Sequence, residues 1–155
     1  MAVDRSRLAR DSRKICIQME QATNRYLASA DVTGVQAQML LYILRYAEEG
    51  ASVTDLHQVS GYSKATISNL IKRLREKGYV RVEPCREDDR RKLLFSTEKG
   101  RRAQAFLRDS IRGAEDLLYQ GFSAEELSTL DRMQRRMIHN LSSVQTHSQR
   151  EASAT

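Results

Sequence analysis

The chain has 155 residues and a mass of 17.8 kDa, the size of one compact domain with or without helical extensions, which excludes a large multidomain enzyme. Apolar residues make up 40%, enough to build a core, while one Pro and 7 Gly are too few for an all-β protein of many turns or for a low-complexity linker. The 26 basic and 20 acidic side chains leave +6, with a pI near 9.6, a balance that favours an anionic partner such as nucleic acid or a membrane surface.

The charge is unevenly placed. Residues 1–51 carry 7 basic and 6 acidic side chains, 52–102 carry 13 and 7, and 103–155 carry 6 and 7, so the whole excess lies in the middle third. Cys16 and Cys85 are far apart and match no metal-ligand spacing, so they read as ordinary thiols, and neither a metal nor a cofactor is expected. The first residues lack the apolar core of a signal peptide, and no apolar run is long enough to span a bilayer. A cytoplasmic protein with no membrane partner is expected.

In chain order, Leu8, Ile15, Met19, Ala22 and Tyr26 form the stripe of an amphipathic first helix over 8–29. Thr33 and Gln36 read as a capping box opening a second helix, with Val35, Met39, Tyr42, Ile43 and Tyr46 apolar and a stop near Gly50. Ser52 caps a short third helix, with Asp55 at the N3 position and Val53, Leu56 and Val59 turned inward, and Gly61 breaks it. Ser63 caps a fourth helix in which Ile67, Leu70, Ile71 and Leu74 recur at i, i+3, i+4 and i+7, ended by Gly78 after a basic last turn. Residues 79–83 alternate as a strand closed by Pro84, residues 85–92 hold seven charges among eight, and residues 93–96 return as a second strand. Thr97 to Gly100 opens a long helix ended by Gly121, and Ser123 with Glu126 opens a last one, with a polar tail expected to fray after about Ser148.

Two short helices joined by a Gly-containing turn and followed by a hairpin make a winged helix-turn-helix, whose second helix suits the major groove. The fold class read from the sequence is therefore mainly α with a small β-hairpin wing. A winged module over 33–102 is flanked by an N-terminal helix (1–32) and C-terminal helices (103–148), whose apolar stripes are larger than a three-helix module could bury and so suit dimerisation helices, with a tail over 149–155. In the recognition helix (63–78) the wheel sets Ala65, Ser68, Asn69 and Lys72 opposite the apolar side, with Thr66 and Arg73 on a flank. Small residues admit the DNA backbone, Ser and Asn can bond base edges, and Lys and Arg can reach guanine or phosphate, although a merely solvated face has the same composition. The basic wing (84–92) offers Arg86, Arg90, Arg91 and Lys92 to the minor groove or phosphates. At least one of Glu87, Asp88 and Asp89 is expected to hold an arginine in place. Ser52, Thr54, Ser63 and Lys64 complete the candidate DNA-contacting set.

In order and spacing, these motifs resemble the MarR family of bacterial transcription regulators. The resemblance is carried by Thr33 and Gln36; Ser63, Thr66 and Ser68; Leu74 through Val80; Asp88 and Arg90; and Thr97 and Gly100. Ser96 departs from the Leu usual before that Thr, and Asp88-Asp89-Arg90-Arg91 permits a one-residue shift, with Asp88 and Arg90 the register that needs no gap. The resemblance implies a homodimer with two winged modules for the half-sites of a pseudo-palindromic duplex, most simply a repressor. It also implies release by a small aromatic or phenolic effector, to which Arg13, Met39, Tyr42 and Tyr46 are candidate contacts; core packing explains the last three equally well. Redox sensing through Cys16, a further mode in the family, is an alternative, since Arg13 and Lys14 stand nearby to favour a thiolate. Against an enzyme, His57, His139 and His147 are scattered and no Gly-rich phosphate loop follows a strand. Against a winged module that binds only protein, the outer face of the fourth helix is basic through Lys64, Lys72 and Arg73.

Overall fold

The computed structural model describes residues 2–46, 48–88 and 90–153, with side chains to residue 144. Six helices and one hairpin follow in the order α1 (Arg5–Tyr26), α2 (Gly34–Leu44), α3 (Val53–Ser60), α4 (Lys64–Glu76), β1 (Val80–Pro84), β2 (Lys92–Ser96), α5 (Glu98–Leu118) and α6 (Ala124–Ser153). This is the mainly helical architecture with a small hairpin that the sequence predicts. The chain divides into two compact units between Leu118 and Tyr119.

Local chemistry sets most boundaries. Asp4 caps α1 by accepting the backbone N–H groups of Ser6 and Arg7 at 2.9 and 3.2 Å, so the helix begins three residues before its first apolar position. Thr33 and Gln36 satisfy each other's backbone N–H groups at the start of α2, as do Ser52 and Asp55 at α3. α2 ends at Leu44, earlier than Gly50, because a turn in which Gly50 N–H bonds the Tyr46 carbonyl (2.8 Å) takes over. α6 runs to Ser153, past the expected fraying point near Ser148; Thr155 and its neighbour at 154 lie outside the described residues.

In the first unit α2 is the hub, touching α1, α3, α4, α5 and β2. That explains why Ala37, Met39, Leu40, Ile43 and Leu44 are buried on several sides of it, an all-round apolar helix being an interior one. Leu56, Ile67, Leu74, Leu94 and Leu107 close the core around it. The expectation that α3 turns Val59 inward fails: the packing of α3 centres on Leu56, and Val59 is 42% exposed. β1 and β2 pair antiparallel from Val80 opposite Ser96 to Pro84 opposite Lys92. Ala51 adds a bridge to Leu94, exchanging both backbone hydrogen bonds (2.9 and 2.8 Å), and so ties the wing to the residue just before the cap of α3. α1 lies along α5, where the ring of Tyr26 occupies the space that a side chain at Gly113 would need.

In the second unit the rings of Tyr119 and Phe122 meet edge to face, 6.2 Å between centroids. Ser123 and Glu126 form the predicted capping box, 2.8 and 3.1 Å, and α6 follows with Met133, Met137, Ile138, Leu141 and Val144 exposed.

Candidate nucleic-acid interface

Three pieces of the first unit build one basic face. The α3–α4 turn is closed by Gly61 in the left-handed region (φ 76°), where its N–H reaches the His57 carbonyl at 3.0 Å. The His57 Nδ1–H donates to the Tyr62 carbonyl at 2.6 Å, a bond that holds the chain just before the next cap. Ser63 then caps α4, accepting the Thr66 N–H at 3.1 Å and donating its hydroxyl to Thr66 Oγ1 at 2.9 Å.

Along α4, Ile67, Ile71 and Leu74 are buried and Leu70 half-buried, while Lys64, Ala65, Thr66, Ser68, Asn69, Lys72 and Arg73 are all exposed. The wheel drawn from sequence therefore holds residue by residue. Thr66, Asn69, Leu70, Lys72 and Arg73 line one open depression.

The wing supplies the third piece. Cys85 N–H to the Arg91 carbonyl (2.9 Å) and Arg91 N–H to the Asp88 carbonyl (3.0 Å) close the loop between the strands. The Asp88 carboxylate accepts the backbone N–H of Arg90 at 3.0 Å. It thus shapes the turn that presents Arg90, holding the arginine by its main chain and leaving the guanidinium exposed. Arg86, Arg91 and Lys92 are exposed as well.

Ser52, Val53, Thr54, Lys64, Arg90, Arg91 and Lys92 line a common cleft of about 270 Å³, so the start of α3, the start of α4 and the wing converge. Ser52 itself is buried, its hydroxyl engaged in the cap at 3.1 Å from the Asp55 N–H, whereas Thr54 is exposed. Asp55 was legible only as a capping residue. In the fold its carboxyl is held below the usual 3.8 by the Ser52 backbone N–H and then the Ser52 hydroxyl, against the opposing effect of burial, and Arg91 adds a smaller attraction. Asp55 is thus held first by its Ser52 cap, and its weaker attraction to Arg91 has no local sequence signal because Arg91 lies 36 positions further on.

The four effector candidates are distributed differently. Met39 is 1% exposed and sits in the core; Tyr42 and Tyr46 are half-buried against it, with the Arg45 guanidinium 5.5 Å above the Tyr42 ring. Arg13 and Cys16 are exposed on α1. The phenol of Tyr62, in the turn before α4, is pushed up by burial and further by Glu20, Tyr42 and Cys16. A separate, largely apolar cleft of about 330 Å³ between α1 and α5, lined by Ile15, Met19, Ala22, Ala114, Leu117 and Leu118 among others, contains none of the four. Among the described residues no group of three or more His, Cys, Asp or Glu is placed to hold a metal ion, and no helix is long and apolar enough to cross a membrane.

Residues 30–91, which hold the helix-turn-helix and most of the wing, match the MarR family model. Over that segment the chain is similar to the MarR family of transcriptional regulators. The regulators of that family are winged-helix, non-enzymatic DNA-binding transcription factors. Two sequence relatives agree. The uncharacterized HTH-type transcriptional regulator YybA of Bacillus subtilis (strain 168) is 28% identical over 102 residues, 65% of this chain and 68% of YybA. The HTH-type transcriptional regulator TtmR of Methylorubrum extorquens (strain PA1) is 30% identical over 118 residues, 76% of this chain but only 56% of TtmR. Among solved structures, the S. aureus MepR–DNA complex superimposes with a TM-score of 0.79 at 23% identity, over 90% of this chain and 99% of MepR, a likeness of fold.

Proposed function

We propose that this chain is a homodimeric repressor of the MarR type that binds a pseudo-palindromic DNA duplex, α4 entering the major groove and the wing reaching the flanking minor groove or phosphates. One observation carries this: Thr54 of α3, Lys64 at the start of α4 and Arg90, Arg91 and Lys92 of the wing border one cleft, and the remaining outer face of α4, with Thr66, Asn69, Lys72 and Arg73 around a second depression, is exposed. On that face Asn69 and Lys72 are set to read bases, Thr54, Lys64 and Arg73 to grip the backbone, and Arg86, Arg90, Arg91 and Lys92 to follow the duplex outward. Asp88 acts as the turn-former that aims Arg90.

Selection of bound duplexes from a random pool, followed by titration with variants, tests it. Arg90→Ala should weaken binding to all duplexes alike and lower the salt slope by about 1. Asn69→Ala or Lys72→Ala should cost about 1–3 kcal/mol on the selected duplex and relax its base preference. Binding that ignores both the wing and the α4 substitutions would overturn the assignment.

A small aromatic or phenolic effector is the proposed release signal, supported by the half-buried tyrosine surface of Tyr42 and Tyr46 beside Met39. Repeating the titration with benzoate-type and phenol-type ligands tests it, an unchanged affinity counting against it. Release through oxidation is a second reading, favoured by the exposure of the Cys16 thiol on α1; it requires peroxide to weaken the wild type but not Cys16→Ser.

A further inference from the structure

A polar cluster outside the basic face joins four parts of the first unit. The Tyr79 hydroxyl, at the head of β1, donates to the Asp31 carboxylate in the α1–α2 loop. Lys77, the C-terminal cap of α4, donates through Nζ to the Asp31 carbonyl and to Gln36 Oε1 at 3.0 Å. That Gln36 oxygen already accepts the Thr33 N–H at 3.2 Å in the α2 capping box. Lys99, in the first turn of α5, donates to the Lys77 carbonyl at 2.7 Å, lies 3.6 Å from the Asp31 carboxylate and covers the Tyr79 ring at 4.3 Å. Next to it, the Thr97 hydroxyl donates to the Gly78 carbonyl at 2.6 Å.

The components differ in what they contribute. The Lys99–Asp31 pair is about half exposed on both sides, so as an ion pair it adds little to stability. Tyr79 is different: the residue is 6% exposed, and a buried phenol needs a partner for its hydroxyl. Burial, together with Asp31, pushes its ionisation up to about 12, so it stays a donor at any physiological pH. The bonds of Asp31, Gln36, Thr97 and Lys99 to Lys77, Gly78 and Tyr79 all fall on the three residues that follow α4, at the end of that helix away from the α3–α4 turn. The N-terminal end of α4 is positioned by its own cap and turn; the residues after its C-terminal end are fastened to the α1–α2 loop through Asp31 and to α5 through Thr97 and Lys99, with Lys99 also beside Asp31.

We infer that Asp31 is a positioning residue for operator recognition: through the Tyr79 hydroxyl and Lys99 at its carboxylate, beside the Lys77 bond to its carbonyl, it sets the angle at which α4 leaves the α1–α5 scaffold, without itself contacting DNA. This presupposes the duplex-binding reading above. A specific duplex demands a particular orientation of the recognition helix, because base-edge contacts require alignment over several base pairs, whereas non-specific phosphate contacts tolerate a changed angle. Loosening the clasp should therefore erode specific binding and leave non-specific binding intact.

The test compares wild type, Asp31→Ala, Asp31→Asn and Tyr79→Phe in the full chain. Each is titrated with a duplex selected by the wild type from a random pool and with an unrelated duplex of equal length and composition, and thermal melting is recorded alongside. Asp31→Ala should bind the selected duplex about tenfold more weakly with the unrelated duplex unchanged. Asp31→Asn, which keeps an oxygen to accept from Tyr79, should recover most of that loss. Tyr79→Phe should fall between, and adding it to Asp31→Ala should cost nothing more. Should Asp31→Ala fail to fold, the ratio of the two affinities in Asp31→Asn and Tyr79→Phe decides. Equal weakening on both duplexes, losses that follow the melting temperature, or no loss at all would each overturn the positioning role. Wild type that retains no duplex would instead overturn the duplex-binding reading itself.

Discussion

Gly100 illustrates how one residue carries a constraint that belongs to its neighbours. A Cβ there would stand 2.2 Å from Ser96 Oγ and 2.7 Å from the Tyr79 carbonyl oxygen. The first contact can be relieved by rotating a hydroxyl; the second is backbone at the start of β1 and cannot give without moving the hairpin. Ser96 is itself buried, so the small residue and the glycine fill one space between β2 and α5. Gly100→Ala is expected to destabilise the chain by about 1–3 kcal/mol, as overpacking does, measured by urea denaturation. The sequence reading notes both positions, Gly100 as a helix-opening motif and Ser96 as a departure from the family pattern, but their mutual contact is visible only once α5 is laid against β2.

At the scale of elements, hydroxyl and carboxylate caps decide where helices begin. The boxes at Thr33, Ser52 and Ser123 and the cap at Ser63 were all legible, because they depend on residues three positions apart. The Ser52–Asp55 box also yields a pH dependence. Asp55 has a folded-state pKa below 3.8, so the stability it contributes is fully present above the unfolded value and is lost as pH falls from about 4 through the lower folded value. Asp55→Asn should remove that part of the acid sensitivity, seen as a flatter stability profile below about pH 4 in urea melts at successive pH. The wing was harder to read. Its charges and strands are plain in the sequence, yet the anticipated Asp–Arg pairing is a carboxylate-to-main-chain bond from Asp88 to Arg90. The tie of Ala51 to β2 had no periodicity to announce it, being one residue long.

At the scale of the whole molecule, each unit leaves apolar side chains uncovered: Leu8 and Ile15 on α1 in the first, and Met137, Ile138 and Leu141 on α6 in the second, the last 70% exposed. A chain of 17.8 kDa that leaves so much uncovered is suited to a two-fold partner presenting the same surfaces. Sedimentation equilibrium should accordingly give about twice the chain mass, and Met137→Asp combined with Leu141→Asp should return it to the mass of one chain while leaving the helical circular-dichroism signal in place. A dimer also doubles the basic excess, and since the excess lies in residues 52–102, added salt should weaken duplex binding steeply.

By itself the sequence determined the six helices, the caps at Thr33, Ser52, Ser63 and Ser123, the helix-turn-helix with its hairpin, the outward face of α4 and the placement of positive charge. These depend on spacing within one turn, one strand or one run of residues, so local periodicity and hydrogen-bonding chemistry suffice to specify them. Tertiary structure alone decided that Met39 lies in the core, that Ser52 is buried in its cap while Thr54 stands free, that Asp55 feels Arg91, and that Asp31 gathers Lys77, Tyr79 and Lys99. Each of those joins groups dozens of residues apart whose meeting is set by how α1, α2, α4 and α5 pack, and no local pattern encodes a contact made only after the chain has folded.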